Sequence, residues 1–153
     1  MAYSVSGPIG VTLALVDATA VHKLGQEVIG SDGCTYTYCL AGEALAQYAA
    51  CGVDEDHSAT ELTTTTAGAV PQPVVVPQIA VASGEYFWGV CEGSGFSVLG
   101  AASCAKDVKI YTTATAGVVD DASTTLIVGL RLDETLTGAA AATATASTRM
   151  RVN

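Results

Sequence analysis

The sequence predicts a mainly β protein, built as a small antiparallel β-barrel or sandwich with one short helix and extended terminal arms. Three observations support this fold class. Thr, Val, Gly and Ala are abundant while Lys is scarce, and this composition favours strands over helices. Several segments alternate their side chains with period two, as strands do. Turn segments rich in glycine or proline separate these strands.

Residues 1–153 are expected to form one β-rich domain, because this length is enough to bury a sizeable core. Residues 1–10 are predicted to be an N-terminal arm, since Pro8 and the glycines beside it disfavour a helix. Residues 11–16 are predicted as the first strand. The low-complexity residues 139–152 are compatible with a last strand.

Residues 82–119 are the predicted hydrophobic centre, because they contain the only tryptophan and both phenylalanines. Residues 92–95, Glu-Gly-Ser-Gly, are predicted to be a hairpin turn, with residues 96–99 as the returning strand. Residues 108–112 are predicted as the third strand of this meander. On the first strand, period two predicts one face with Tyr86, Trp88 and Val90 and another with Phe87, Gly89 and Cys91.

Residues 26–41 are predicted to form a second hairpin, with residues 30–33 as its turn. Tyr36 and Tyr38 share one face of its returning strand with Cys34 and Leu40. A tyrosine pair at this spacing is typical of a core edge where the hydroxyls reach water. A sugar-binding tyrosine platform is the alternative. The opposite face carries Thr35, Thr37, Cys39 and Ala41.

Three further segments have local signals of secondary structure. Residues 43–50 contain good helix formers and are predicted to be a short helix, with a strand as the alternative. Residues 70–81 carry three prolines, which favour an edge strand or an extended connection. Residues 124–132 are predicted to be a strand in which Leu126, Val128 and Leu130 alternate with Thr125, Ile127 and Gly129.

Residues 53–68 are the most polar stretch, and their crowded oxygen ligands raise the question of a calcium site. The spacing lacks the glycine and the final glutamate of an EF-hand loop, so a solvated loop tip is predicted instead. The side chains in question are Asp54, Glu55, Asp56, His57 and Glu61.

An enzyme, such as a hydrolase, would have to use Asp54, Asp56 and His57, the only candidates expected to lie close together. A polar loop lacks the buried surroundings that adjust catalytic pKa values. No Ser–His–Asp or Cys–His arrangement is defined by the isolated histidines. The sequence therefore predicts no enzyme activity and no catalytic, cofactor-binding or metal-binding residues.

The net charge of −9 argues against nucleic acid and acidic membranes as partners. Only 14% of residues are charged while half are hydrophobic, which indicates apolar surface buried against other subunits. No secretory signal and no apolar run long enough to cross a bilayer are visible. The chain is therefore expected to be made and folded in a cytoplasm.

The five cysteines are Cys34, Cys39, Cys51, Cys91 and Cys104. Their odd number and the lack of C-x-x-C pairs make a structural zinc site improbable. They are expected to be reduced, mostly buried, small hydrophobic residues. A disulfide formed after lysis is the minor alternative.

Two arginines at spacing two, Arg149 and Arg151, lie near the end of this acidic chain. Two interpretations are open. They form an ion pair between subunits, or they belong to a solvated terminus.

The order of the motifs is informative. A hairpin GQEV…SDG.TYTY is followed by ASGEYFWGVCEGSGFSVL, then by VKIYTTATAGVVDD and a final strand pair. This order resembles the small head-decoration, or capsid cement, proteins of tailed bacteriophages. The likeness rests mainly on Ser83 to Tyr86 and Thr115 to Gly117 and covers roughly residues 25–132. The five cysteines and the threonine-rich residues 62–66 depart from the family pattern.

The resemblance implies a β-rich fold on the outer capsid surface, often as a trimer at a local symmetry axis, with no catalytic residues. The expected function is a structural virion protein that stabilises contacts between major capsid protein subunits. Its expected partners are the major capsid protein and itself as a homotrimer, and it would be made in the host bacterial cytoplasm. The alternative function is a carbohydrate- or receptor-binding β-module that uses Tyr36, Tyr38 and Trp88.

Overall fold

The computed structural model describes residues 14–153. It is mainly β, with 47% strand and 3% helix, and its ten strands form one connected sheet. This confirms the predicted β class and the presence of one short helix. The predicted arm at residues 1–10 lies outside the described residues, as do residues 11–13 of the first predicted strand. Residues 14–16 do not form a strand, so the described part of that prediction is wrong.

The regular elements follow one another closely from residue 27 to residue 152. They are β1 (Glu27–Ile29), β2 (Thr35–Ala41), β3 (Cys51–Val53), β4 (Ser58–Glu61), α1 (Thr64–Ala67), β5 (Gln72–Pro77), β6 (Tyr86–Gly100), β7 (Ile110–Thr112), β8 (Val119–Asp120), β9 (Leu126–Leu132) and β10 (Ala140–Val152). No helix among the described residues is long and apolar enough to cross a bilayer.

The strand pairings form two closed circuits that share β6. The first circuit runs β2–β6–β5–β3–β4 and returns to β2. The second runs β6–β8–β7–β9–β10 and returns to β6. β10 also pairs with β5, which joins the circuits a second time, and β1 pairs with β2. The pairs β2–β4 and β6–β8 are parallel, so the sheet is not purely antiparallel.

The hairpin predicted at residues 92–95 is wrong, because β6 continues through them as one strand of 15 residues. Gly93 and Gly95 have positive φ angles of 129° and 83°. Gly95 is an extra residue between the pairs Phe96–Ala144 and Ser94–Thr145, which makes a β-bulge. Bulges bend a strand without reversing it, so β6 passes here from the first circuit into the second.

The hairpin predicted at residues 26–41 is confirmed as β1, β2 and their turn. Its faces are also as predicted, because Cys34, Tyr36 and Tyr38 belong to one core cluster while Cys39 and Ala41 belong to another. The predicted strands at residues 108–112, 124–132 and 139–152 are confirmed in shorter form as β7, β9 and β10. Since β10 pairs with three strands, the expected C-terminal arm is wrong.

The helix predicted at residues 43–50 is wrong. This segment is irregular, and Leu45 forms an isolated bridge with Val81. Leu45 is 2% exposed and packs in the core of the first circuit. Tyr48 has a positive φ of 68°, which no α-helix contains. Burial of Leu45 has therefore outweighed the local helix propensity.

The helix lies instead in the polar stretch, where α1 begins after Thr63. The Thr63 side chain accepts a hydrogen bond from the backbone of Thr66, and the Thr66 side chain accepts one from the backbone of Thr63. This reciprocal capping satisfies N–H groups at the start of the helix. The solvated tip predicted for this stretch is confirmed only at residues 54–57, since β4 follows directly.

The edge position predicted for residues 70–81 is wrong, because β5 pairs with β3, β6 and β10. Pro73 and Pro77 stand near its ends, opposite Arg151 and Gly89. The central residues Val74 to Val76 are fully buried. Prolines near the strand ends leave the middle of β5 free to make ladder hydrogen bonds.

β9 departs from strict alternation at Gly129, which has a φ of 91°. Ile127 and Leu130, three residues apart, are both buried, whereas Val128 is half-buried. The alternation of the two faces predicted for residues 124–132 is therefore shifted by one residue at Gly129. A Cβ there would lie 2.7 Å from the Thr148 hydroxyl, so β10 approaches too closely for a side chain.

Candidate functional site

The aromatic residues proposed as a sugar platform are buried. Tyr36 is 2%, Tyr38 0% and Trp88 7% exposed. Tyr38 lies against Trp88 at a ring-centroid distance of 4.9 Å and stacks with Tyr86 at 6.0 Å. The Tyr38, Tyr86 and Trp88 rings, with His22 beside them, are here called the aromatic face.

Residues 14–24 lie over the aromatic face and explain its burial. Asp17 exchanges two backbone hydrogen bonds with Tyr86, and His22 lies edge-on to the Tyr38 ring at 5.1 Å. The Tyr38 hydroxyl donates a 2.6 Å hydrogen bond to the Asp17 carboxylate. Among the described residues, Tyr38 and Trp88 are therefore buried, while Tyr86 and His22 stay half-buried.

Both hydroxyls predicted to reach water are instead bonded to carboxylates. The Tyr36 hydroxyl donates to Asp32, in the turn between β1 and β2. Burial, together with Asp17, raises the pKa of Tyr38 to about 12. Burial and Asp32 also raise the pKa of Tyr36. These phenols are held in their neutral form and serve as structural donors.

The acidic loop does not assemble the hydrolase candidates into a catalytic arrangement. One oxygen of the Asp54 carboxylate accepts hydrogen bonds from the backbone N–H of Asp56 at 3.0 Å and of Ser58 at 2.8 Å. Asp54 therefore closes the turn rather than activating His57. The Glu61 carboxylate accepts from the backbone of Ala46, so Glu61 is also engaged elsewhere.

Three potential metal ligands do meet at a place where the sequence predicted nothing. Ligand atoms of Cys104, Asp120 and Asp121 lie within 4.8 Å of one another. The Asp121 carboxylate accepts a hydrogen bond from the backbone of Ala105, which ties the loop after β6 to β8. Burial, with Asp121 and Asp120 nearby, raises the pKa of Cys104 to about 11. The thiol is therefore protonated at neutral pH, and the cluster acts as a loop anchor.

All five cysteines are free and buried, which confirms their expected role as small core residues. Cys39 and Cys51 lie in the core of the first circuit, together with Phe87 and Val75. Burial raises the pKa of Cys39 to about 12 and also raises the pKa of Cys51. Thiols of this kind are poor nucleophiles at neutral pH.

A concave region lies around Pro73. Two of its hollows, of about 410 and 450 Å³, share Pro71, Gln72 and Pro73 as a common wall. Two more, of about 100 and 310 Å³, adjoin them through Pro73 and Arg149. We call this region the Pro73 surface. It comprises Glu27–Ile29, the turn at residues 54–57, residues 70–73 and residues 149–153.

Arg149 crosses the Pro73 surface to pair with Glu27 of the same chain through both of its terminal nitrogens. Arg149 is therefore paired within its own chain, which neither interpretation predicted, while its side chain stays 52% exposed. An ion pair between subunits stays a prediction. Arg151 lies at the surface, where its side chain bonds only to Asn153 among the described residues. Sequence could not reveal the Glu27 pairing, which spans 122 residues.

Comparisons of this chain with family models, with curated proteins and with solved structures find no match.

Proposed function

We propose that this chain is a structural virion protein that decorates the outer capsid surface of a tailed bacteriophage. In this role it stabilises contacts between major capsid protein subunits and assembles as a homotrimer. It is made in the host bacterial cytoplasm and binds neither nucleic acid nor membrane. The proposal starts from the resemblance of residues 25–132 to capsid cement proteins.

The observation that carries the proposal is that the polar and reactive side chains are buried or bonded within the chain, whereas large apolar side chains are exposed. The thiols, the bonded tyrosines and the tryptophan are buried, and the acidic loop is tied into a turn. The exterior of this acidic chain keeps large apolar side chains such as Ile29, 78% exposed, and Val70, 58% exposed. Such a surface suits adhesion between subunits better than chemistry on a substrate.

The two strand circuits support the same role. We propose that each is a small β-barrel, with β6 as the shared wall. A closed sheet has few free edges, so copies held side by side on a shell would not pair their strands indiscriminately. Repetition over the shell makes individually weak contacts effective, because each bound subunit raises the local concentration for the next contact.

The test uses expanded shells of the parent phage that lack this chain. The purified protein is expected to co-sediment with these shells and to raise their melting temperature. Shells incubated with buffer alone provide the control. If the shells bind no protein, or withstand heat equally well with and without it, the proposed function is wrong.

A sugar- or receptor-binding role would need an exposed aromatic platform. The burial of Tyr36, Tyr38 and Trp88 removes the side chains on which that alternative relied. Tryptophan fluorescence checks this in solution: Trp88 is expected to emit in the blue and to resist quenching by acrylamide. A red, readily quenched spectrum would reopen the alternative.

A further inference from the structure

The Pro73 surface combines exposed apolar side chains with charges of both signs. Ile29 lines one of its hollows and Val70 another. Arg151 lines one hollow and Glu55 lines another, and the two hollows share residues 71–73. The surface therefore combines exposed apolar side chains with a cation and an anion in adjoining hollows.

The backbone holds Glu55 and Arg151 in place, and neither side chain has an ionic partner among the described residues. Glu55 lies in the turn that the Asp54 carboxylate closes through two backbone hydrogen bonds. Arg151 is fixed by the pairing of β10 with β5, opposite Pro73. Neither belongs to an ion pair among residues 14–153, whereas Arg149 is already neutralised by Glu27.

We propose that the Pro73 surface is where copies of this chain contact one another, with Arg151 of one copy facing Glu55 of the next. Ile29 and Val70 would lose their exposed apolar area in this contact. In a closed ring of three, Arg151 of each copy meets Glu55 of its neighbour.

Charge is the reason for choosing a second copy as the occupant. With a net charge of −9, two copies repel each other over most of their surfaces. A contact must therefore form where the charges cancel locally. A purely acidic partner would meet Glu55 and a purely basic one would meet Arg151, and each like-charge contact is unfavourable. A second copy necessarily carries both signs.

This inference rests on the self-association included in the proposed function and not on capsid binding. The experiment therefore uses the free protein, so that failure to bind shells and failure to self-associate are separate results. Sedimentation velocity is measured between about 1 µM and about 1 mM, the range in which contacts of modest affinity become populated. The wild-type chain is expected to form an oligomer within this range. A monomer throughout would overturn the proposal.

The first variant is Val70→Asp, which places a charge in the apolar part of the Pro73 surface. It is expected to weaken association by at least about tenfold. Its matched control is Val108→Asp, because Val108 is also exposed, at 40%, but lies outside the Pro73 surface. The control is expected to associate like the wild type. Equal behaviour of the two variants would contradict the proposed location.

The second test is a charge exchange that does not depend on the apolar residues. Arg151→Glu and Glu55→Arg are each expected to weaken association, because each brings like charges together between copies. The double variant restores opposite charges across the contact and should associate more tightly than either single variant. A double variant no tighter than the singles would overturn the Arg151–Glu55 contact. Near-UV circular dichroism checks that all variants remain folded.

Discussion

The aromatic face and the Pro73 surface differ in where their polar groups find partners. On the aromatic face, the Tyr38 hydroxyl bonds to Asp17 of the overlying segment, and the Tyr38 and Trp88 rings are buried. On the Pro73 surface, Arg151 and Glu55 stay exposed beside Ile29 and Val70. The first region has used its binding capacity to build the fold. In the second region, Arg151 and Glu55 have no ionic partner among residues 14–153, which is the basis of the proposed contact between copies.

The sharpest test of this difference is to truncate one large side chain in each region. Trp88→Ala removes a side chain that is 7% exposed and packs against Tyr38. It is expected to lower the free energy of unfolding by about 3–5 kcal/mol, because a cavity replaces the indole. Urea denaturation followed by circular dichroism measures the loss.

The matched variant is Ile29→Ala on the Pro73 surface. Since Ile29 is 78% exposed, the change is expected to stay within about 0.5 kcal/mol at concentrations where the chain is monomeric. Comparable losses for the two variants would show that the regions do not differ as described.

A second test concerns the bend that carries β6 from one circuit to the other. At Gly93 an added Cβ would lie 2.7 Å from the Cα of Cys34, and the backbone φ is 129°. Gly93→Ala is expected to cost about 3 kcal/mol, because the strain of a disfavoured φ is added to a clash with backbone. Thermal and urea unfolding both measure this loss.

Gly95→Ala provides the control two residues further along the same strand. Gly95 also has a positive φ, of 83°, but no atom lies within 4 Å of a Cβ built there. Its cost should be limited to the conformational strain of about 1 kcal/mol. If both substitutions cost the same, then the approach of β6 to Cys34 is not what requires glycine at residue 93.

This bend also shows how far sequence reasoning reaches. Local alternation and turn residues were enough to predict the β1–β2 hairpin and the strands β7, β9 and β10. Glycines with positive φ serve hairpin turns and bulges equally well, so residues 92–95 alone could not distinguish them. Only the pairing of β6 with β10 decides for a bulge.

The other features that the sequence failed to predict also depend on contacts between segments far apart in the chain. The helix predicted at residues 43–50 failed because Leu45 is buried beside Val81, which no local propensity can foresee. The Cys104 cluster and the Pro73 surface also join segments far apart in sequence. The sequence drew attention to Arg151, but only the fold places it on the same surface as Glu55.

A third test follows the stability that Tyr38 of the aromatic face provides as the pH becomes alkaline. The pKa of Tyr38 in the folded chain, about 12, lies above its unfolded value of about 10. The folded state therefore holds this proton more tightly, and the associated stability is complete below about pH 10 and lost as pH rises through 12. Urea denaturation across this range should show a falling free energy of unfolding.

Tyr38→Phe is expected to make that fall shallower without abolishing it, because Tyr36 and the buried thiols also hold their protons more tightly in the folded chain. Tyr111→Phe keeps both carboxylate-bonded tyrosines and should retain the wild-type pH dependence. A Tyr38→Phe variant with an unchanged slope would exclude the Asp17–Tyr38 contact as a source of the pH dependence.

The smallest expected effect belongs to the ion pair that crosses the Pro73 surface. Arg149→Ala removes the partner of Glu27, but both side chains are more than one-third exposed, so solvent screens the pair. The expected loss of stability is about 0.5 kcal/mol, and it should shrink further in high salt. A loss of several kcal/mol would mean that this pair, like the Asp17–Tyr38 contact, holds the fold together. The Pro73 surface would then be part of the internal framework rather than a region kept for partners.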